Sequence, residues 1–247
     1  MTDLDLTRYD AVLFDLDGVL TDTASLHATA WKRMFDEFLQ RWSEEHGHPF
    51  VPFTIDVDYL QYVDGKPRIE GVASFLESRR IVLPEGEPTD APDADSIHGL
   101  GTRKNELVLR LIEKEGVTAF EGSIAFVRHV RDAGLRTAVV SSSKNAGPVL
   151  QAAGLTELFD DRVDGLVADD LGLPGKPSPD TFLEAARRLD TTAARAVVVE
   201  DAVVGVEAGR LGGFGFVIGV DREGDPDRLM AHGADVVVDD LGDLVAV

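Results

Sequence analysis

Residues 12–20 read VLFDLDGVL, and the two aspartates within them decide how the rest of the chain is read. Four of the five residues before Asp17 are apolar, the composition of a buried strand. A carboxylate taken out of water without a partner is very costly, so core strands normally exclude charge. Asp15 and Asp17, two residues apart at the end of such a strand, therefore demand a chemical reason.

The remaining composition narrows what that reason can be. The chain has 247 residues, 44% hydrophobic and 28% charged, with 11 prolines, which fits a globular protein with a sizeable core. Its formal net charge is −21, from 45 acidic and 24 basic residues, and such a surface repels nucleic acid and anionic membranes. No partnership with either is expected. No cysteine is present, which excludes disulfides, zinc–thiolate sites and thiol catalysis and fits a cytoplasmic location. The polar Met1–Asp10 segment reads as no secretory leader, and no apolar run approaches a membrane span. Lysines stand only at 32, 66, 104, 114, 144 and 176, so an anionic substrate would have to be met by locally focused cations.

Beyond the opening strand, apolar residues from Leu26 to Trp42 recur at helical spacing and predict a helix over about 25–42. Short helices are expected over 57–63 and 72–80, flanking the turn-rich loop DGKPRIEG, with a further helix over 106–114. A Pro, Gly and acid-rich surface loop spans 83–94. From about residue 120 strands and helices alternate: RTAVVSSS, DGLVA, RAVVVED, FGFVIGV and ADVVVDDL read as strands, and the segments between several of them as helices. That alternation implies a parallel sheet covered on both faces. One strand at the start must join a sheet whose other strands lie far along the chain. The helical block between is therefore an insertion, and the expected domains are a core of residues 1–22 and 114–247 and a cap of residues 23–113.

In open parallel sheets the chemistry gathers beyond the carboxyl ends of the strands. Asp15, Ser141 and the pair Glu200–Asp201 each fall at such an end, and Lys176 lies in the loop before a helix. Taken singly, each has a plain structural reading as a cap, a turn or a solvated loop residue. Their ordered arrangement points instead to one rim holding, with Asp17, four acids, a hydroxyl and a lysine. Crowded carboxylates cannot all be ionised without a cation, and a hard divalent ion, Mg²⁺ above all, answers that need. A lysine and a hydroxyl beside them suit a phosphoryl group, and a carboxylate is a competent nucleophile toward phosphorus.

Four stretches, DLDGVLTDT, the strand-end SSS, GKPSPDTF and VVVEDAVVGVEAG, resemble the motifs of the haloacid dehalogenase superfamily over nearly the whole chain. The resemblance implies an α/β fold, a Rossmann-like parallel sheet core of the haloacid dehalogenase type, with an inserted α-helical cap domain. It implies Asp15 as the nucleophile that becomes a phosphoaspartate and Asp17 as general acid/base. Ser141, with Ser142 beside it, and Lys176 would hold the transferring phosphoryl group, and one Mg²⁺ per chain would be bound by Asp15, the Asp17 backbone carbonyl, Glu200 and Asp201. An aspartate at position 17 suits phosphatases and phosphomutases, in which an oxygen must exchange a proton, and sets halide chemistry aside.

Within the superfamily, FDLDGVLTDTASLHATAW, with Thr23, His27 and Trp31, and SSSKN are similar to the β-phosphoglucomutase group. RKN at 103–105 resembles that group's return from cap to core. Lys144 and Asn145 would then grip the second phosphate of a sugar bisphosphate, with Arg68 of the cap loop as a further clamp. In that group the loop reads Lys-Gly-x-x-Arg; here it is DGKPR, so Gly65 and Arg68 keep the register while Asp64 replaces the lysine and Lys66 lies two positions on. DGKPR also has the composition of an ordinary exposed turn, and His27 suits a packed role as well as a hinge or proton-handling one. Three readings stay open. One is a mutase interconverting β-glucose 1-phosphate and glucose 6-phosphate beneath a closed cap, with glucose 1,6-bisphosphate as activator. The second is a phosphatase of a small phosphorylated sugar, and the third a binding module without catalysis. A monomer or weak homo-oligomer is the expected assembly.

Overall fold

The computed structural model describes residues 4–245, so the first three residues of the Met1–Asp10 segment lie outside it. Ala11–Phe14 forms β1, and all four of its residues are buried. It sits within a six-stranded sheet of order β3-β2-β1-β4-β5-β6, where β2 is Arg136–Val140, β3 Asp161–Val163, β4 Ala196–Glu200, β5 Phe216–Val220 and β6 Val236–Val238. Every neighbouring pair is parallel. β1 is therefore central, with β2 on one side and β4 on the other, and the chain changes direction of winding about it. That is the place where open α/β sheets form a crevice at their carboxyl ends.

Close packing divides the chain into two units. One runs to Asp22 and resumes at Val117; the other is Thr23–Gly116. In the sheet-bearing unit, alternate residues of β1 face opposite layers, as the two-residue period of a strand requires. Ala11 and Leu13 join Phe182, Ala185 and Val206 in one buried cluster, supplied by helices α8 (Asp180–Arg188) and α9 (Val203–Leu211). Phe14 meets the edge of Phe126 from α5 (Glu121–Asp132), with ring centroids 6.1 Å apart. Helices α6 (Ala146–Ala152), α7 (Gly165–Leu171) and α10 (Pro226–His232) complete the unit.

The Thr23–Gly116 unit is helical. Its α1 (Ala24–His46) is followed by a π-helical turn at Ile55–Tyr59, a single turn α2 (Leu60–Tyr62), α3 (Arg68–Ser78) and α4 (Ile97–Glu115). Phe35, Phe53 and Phe75 pack mutually in its centre with Trp31, Met34 and Leu100.

Two local expectations are corrected. DGLVA is not a strand: β3 ends at Val163, and Asp164 instead caps α7 by accepting from Leu166 N and Val167 N, both at 3.1 Å. The helix expected over 106–114 begins at Ile97, capped by Ser96, whose Oγ accepts from Gly99 N at 2.9 Å. Two glycines in its first turns disguise it in the sequence. A Cβ on Gly99 would lie 2.3 Å from the Ala94 carbonyl, so the bare backbone is needed for the approach.

Phe126 is fully buried against the central strand. Truncation to alanine leaves a cavity there, and Phe126→Ala is expected to cost about 3–5 kcal/mol in urea unfolding. A change below about 1 kcal/mol would show that β1 is not anchored through this ring.

Candidate active site

The parallel register places three polar residues side by side. Phe14 pairs with Val139 of β2 and Val199 of β4, so Asp15 follows β1 beside the ends of both strands. Its backbone N–H continues the ladder, donating to Val199 O at 2.9 Å. Ser141 follows β2 and is buried, and Glu200 is the last residue of β4. Lys176 reaches into this row from the loop before α8. Its Nζ donates to Asp15 Oδ1 at 2.5 Å, to Glu200 Oε1 at 2.5 Å and to Val140 O at 3.2 Å. The Phe182 ring lies beneath the ammonium, with its centroid 4.9 Å away. Lys176 is 3% exposed and Glu200 1%, so this is a buried ionic site rather than a surface pair.

Burial works to lower the pKa of Lys176, but the adjoining Asp15 and Glu200 carboxylates outweigh it and hold the ammonium above its ordinary range. Burial pushes Asp15 up to about 6 against the pull of Lys176, with the charge of Asp17 adding to the rise. Glu200 is pushed up to about 7 by burial, again opposed by Lys176 and reinforced by Asp15. Both shifts share one leading cause, burial of the carboxylate, to which the neighbouring negative charge adds.

Asp201 completes the cluster. Oxygens of Asp15, Glu200 and Asp201 lie within 4.8 Å of one another. Three carboxylates against one ammonium leave two negative charges, the charge that one divalent cation balances. The second oxygen of Glu200 is held by Asp201 N and Ala202 N, both at 3.1 Å, which fixes its orientation. Hard oxygen donors in a prepared arrangement fit Mg²⁺. Asp17 lies in the turn after Asp15, half-buried, and forms a parallel bridge with Thr21.

The SSSKN segment continues from β2. Ser141 Oγ accepts from Ser143 N, and Ser143 Oγ from Asn145 N, both at 3.1 Å, so the loop turns through two hydroxyl-backed steps with Ser142 between them. Lys144 pairs with Asp169 of α7 at an exposed position. Asn145 sits at the entry to α6.

The other predicted residues belong to the helical unit. Thr23 is buried just before α1. Trp31 is 3% exposed and stacks on Phe35 with centroids 5.4 Å apart, so its ring serves the packing of that unit. Gly65 turns the DGKPR loop with φ +68° beside Asp64, and Lys66 donates to Ser74 Oγ at 3.0 Å. Arg68 Nη1 donates to Asn105 Oδ1 at 2.6 Å. Sequence reasoning singled out no role for Lys104, yet it is 5% exposed, with its Nζ 3.0 Å from His27 Nδ1 and 5.0 Å from the centroid of the Trp31 ring. An ammonium only donates, so His27 Nδ1 accepts and the imidazole is neutral. Burial, then the charges of Lys104 and Arg68, hold its pKa well below the usual histidine range. The signal for Lys104 was the scarcity of lysine and its place in RKN.

The order of these groups along the sheet defines the class of protein. The chain belongs to the haloacid dehalogenase-like hydrolase family, whose description matches residues 9–213. It is 50% identical over 238 residues to a β-phosphoglucomutase of Mycobacterium tuberculosis (strain CDC 1551 / Oshkosh), covering 95% of this chain and 91% of that one. It is 30% identical to hexitol phosphatase A of Escherichia coli (strain K12), covering 90% of this chain and 88% of the relative. The crystal structure of a β-phosphoglucomutase from Clostridium difficile superposes with a TM-score of 0.73 at 25% identity, over 96% of this chain and 93% of that one. Among the described residues, no helix is long and apolar enough to cross a membrane.

Gly205, in the first turn of α9, backs directly onto Glu200: a Cβ there would lie 1.9 Å from Glu200 Oε1. Alanine ordinarily favours a helix, but Gly205→Ala must displace this carboxylate. A loss of Mg²⁺ affinity of about tenfold or more by calorimetry is expected, with the helical circular dichroism retained. Unchanged affinity would exclude Glu200 as a metal ligand.

Proposed function

We propose that this chain is a Mg²⁺-dependent sugar phosphomutase, interconverting β-glucose 1-phosphate and glucose 6-phosphate through the 1,6-bisphosphate. The observation that carries the reading is the 50% identity to the M. tuberculosis β-phosphoglucomutase over 95% of the chain. The buried cluster around Lys176 is the chemistry such a reaction needs.

In this reading an Asp15 oxygen attacks phosphorus of the bisphosphate. The P–O bond to the sugar breaks, and Asp17 gives its proton to the departing sugar oxygen. Cleavage at the C1 phosphate releases glucose 6-phosphate. The phosphoryl group on Asp15 then passes to the 6-hydroxyl of an incoming β-glucose 1-phosphate, whose proton Asp17 takes back, regenerating the bisphosphate. Each half-reaction leaves bonds and protons balanced. Lys176 and Ser141 neutralise and orient the transferring group, and Lys144 and Asn145 meet the second phosphate. Asp15, Glu200, Asp201 and the Asp17 carbonyl would hold Mg²⁺, which would supply charge neutralisation for the carboxylates and phosphoryl oxygens. The Lys144–Asp169 pair is no obstacle, because an exposed ion pair is worth under about 1 kcal/mol and a phosphate dianion displaces it. Thr23–Gly116 is assigned as the specificity unit, with Arg68 as its phosphate-binding residue and Lys66, His27 and Lys104 in supporting roles. We place the enzyme in the cytoplasm, with glucose 1,6-bisphosphate as activator.

A second reading, a sugar-phosphate phosphatase, has a specific observation in its favour. Asp64 stands where the mutase group has lysine, and a hexitol phosphatase is among the relatives. The same Asp15 and Asp17 would then serve, with water as the final acceptor. Purified protein with Mg²⁺, β-glucose 1-phosphate and a trace of glucose 1,6-bisphosphate separates the two. Glucose 6-phosphate with little free phosphate is the expected product; free phosphate in comparable amount overturns the mutase reading. Arg68→Ala is expected to raise KM about 10–100-fold with a smaller change in kcat, the loss of one charge-assisted phosphate contact. An unchanged KM would dismiss Arg68 from substrate binding.

A further inference from the structure

We propose that Arg222 is a positioning residue for the turn that carries Asp17: its guanidinium holds the Gly18 carbonyl and thereby fixes the backbone between Asp15 and Thr21. The inference rests on the phosphotransfer reading of Asp15 and Asp17.

The turn leaves several carbonyls to be satisfied as the chain departs from β1. Leu16 O accepts from Leu20 N at 2.9 Å, from Thr21 N at 3.0 Å and from Thr21 Oγ1 at 3.2 Å, all within the turn. Val19 O accepts from Ser123 Oγ at 2.6 Å and Leu20 O from Phe120 N at 3.0 Å, both from the start of α5. The Gly18 carbonyl is held differently. It accepts from Arg222 Nε at 2.7 Å, a charged donor 204 residues further along the chain.

Position matters at Gly18 more than elsewhere in the turn. Its φ is +89°, and a Cβ would lie 1.8 Å from Asp201 Oδ2, so this peptide passes directly against a carboxylate of the acid cluster. Any rotation of the Gly18 peptide is felt by Asp17 on one side and Asp201 on the other.

Arg222 is built to hold one orientation. Its Nη1 donates to Asp239 O at 3.0 Å, and the guanidinium carbon lies 3.8 Å from the centroid of the Phe120 ring. Two carbonyl acceptors and an aromatic ring together restrict the orientation of a planar fork. The loop presenting it is also braced. Asp221 N donates to Val238 O at 2.8 Å, and Asp221 Oδ1 accepts from Glu223 N at 3.0 Å and Gly224 N at 2.9 Å. Arg222 itself is exposed, so its contribution is geometric rather than that of a buried charge. Lysine can supply one donor to Gly18 O but cannot join both carbonyls and stack on Phe120 together.

The test compares wild type with Arg222→Met, Arg222→Lys and Asp15→Asn. Activity is read as total phosphoryl transfer from β-glucose 1-phosphate, glucose 6-phosphate and free phosphate together, with Mg²⁺ and a trace of glucose 1,6-bisphosphate. Rates are expressed per folded molecule from the thermal transition. Arg222→Met is expected to lower kcat about 30–100-fold with KM within about threefold of wild type, and Arg222→Lys to recover to within about tenfold. A purely structural role would reduce the folded fraction and leave kcat unmoved. Wild-type kcat in Arg222→Met, or a raised KM with kcat intact, overturns the proposal. Should the methionine variant fail to fold, Arg222→Lys decides: a 3–10-fold lower kcat at constant KM supports it, and a wild-type kcat overturns it. Activity retained in Asp15→Asn removes the phosphotransfer reading and the inference with it, whereas an inactive Asp15→Asn beside a fully active Arg222→Met overturns the role of Arg222 alone.

Discussion

The Lys176 ammonium, 2.5 Å from both Asp15 and Glu200, is the contact on which the rest of the site depends. The sheet register brings these two carboxylates to adjacent strand ends, where burial and mutual repulsion would drive protons onto them. One buried lysine holds them together and in place. With Asp201 added, three carboxylates face one ammonium, a donor set that fits a divalent cation. The arrangement is costly in a folded protein, and strongly perturbed carboxylates of this kind gather at functional sites.

The acidity of the whole chain sharpens this point. A net charge of −21 disfavours the approach of an anion, and Lys104, Lys144 and Lys176, three of the six lysines, stand among the candidate site residues or in contact with them. Lys176 is placed among the carboxylates and Lys144 in the loop after β2. Lys104, in the helical unit, stands beside His27 and over the Trp31 ring. Preorganisation extends into the backbone: Glu200 is oriented by two main-chain amides, and the turn after Asp15 is braced through its carbonyls.

Much of the architecture was legible because the strands are short apolar runs broken by polar residues at their carboxyl ends. The sequence order of Asp15, Ser141, Lys176 and Glu200–Asp201 carried the family, since each residue type stands at a fixed topological place. Less was legible where local composition is ambiguous. DGLVA has too few apolar residues to distinguish a strand from a helix turn, and the capping role of Asp164 settled it as helix. Gly99 obscured the start of α4 because its bareness serves a close contact that no local pattern records. Arg222 and Lys104 were missed for another reason. Their significance lies in what they touch, the Gly18 carbonyl and the His27 ring, and those contacts arise from register between distant segments.

The central claim is that the carboxylate held by Lys176 receives the phosphoryl group. Acid quenching during turnover with glucose 1,6-bisphosphate and Mg²⁺, followed by peptide mass spectrometry, tests it directly. The account predicts one phosphoryl group per chain, acid-stable and base-labile as an acyl phosphate is, on the peptide containing Asp15 and absent from Asp15→Asn. A phosphoryl group on any other residue, or turnover with none trapped and none lost in Asp15→Asn, would contradict it.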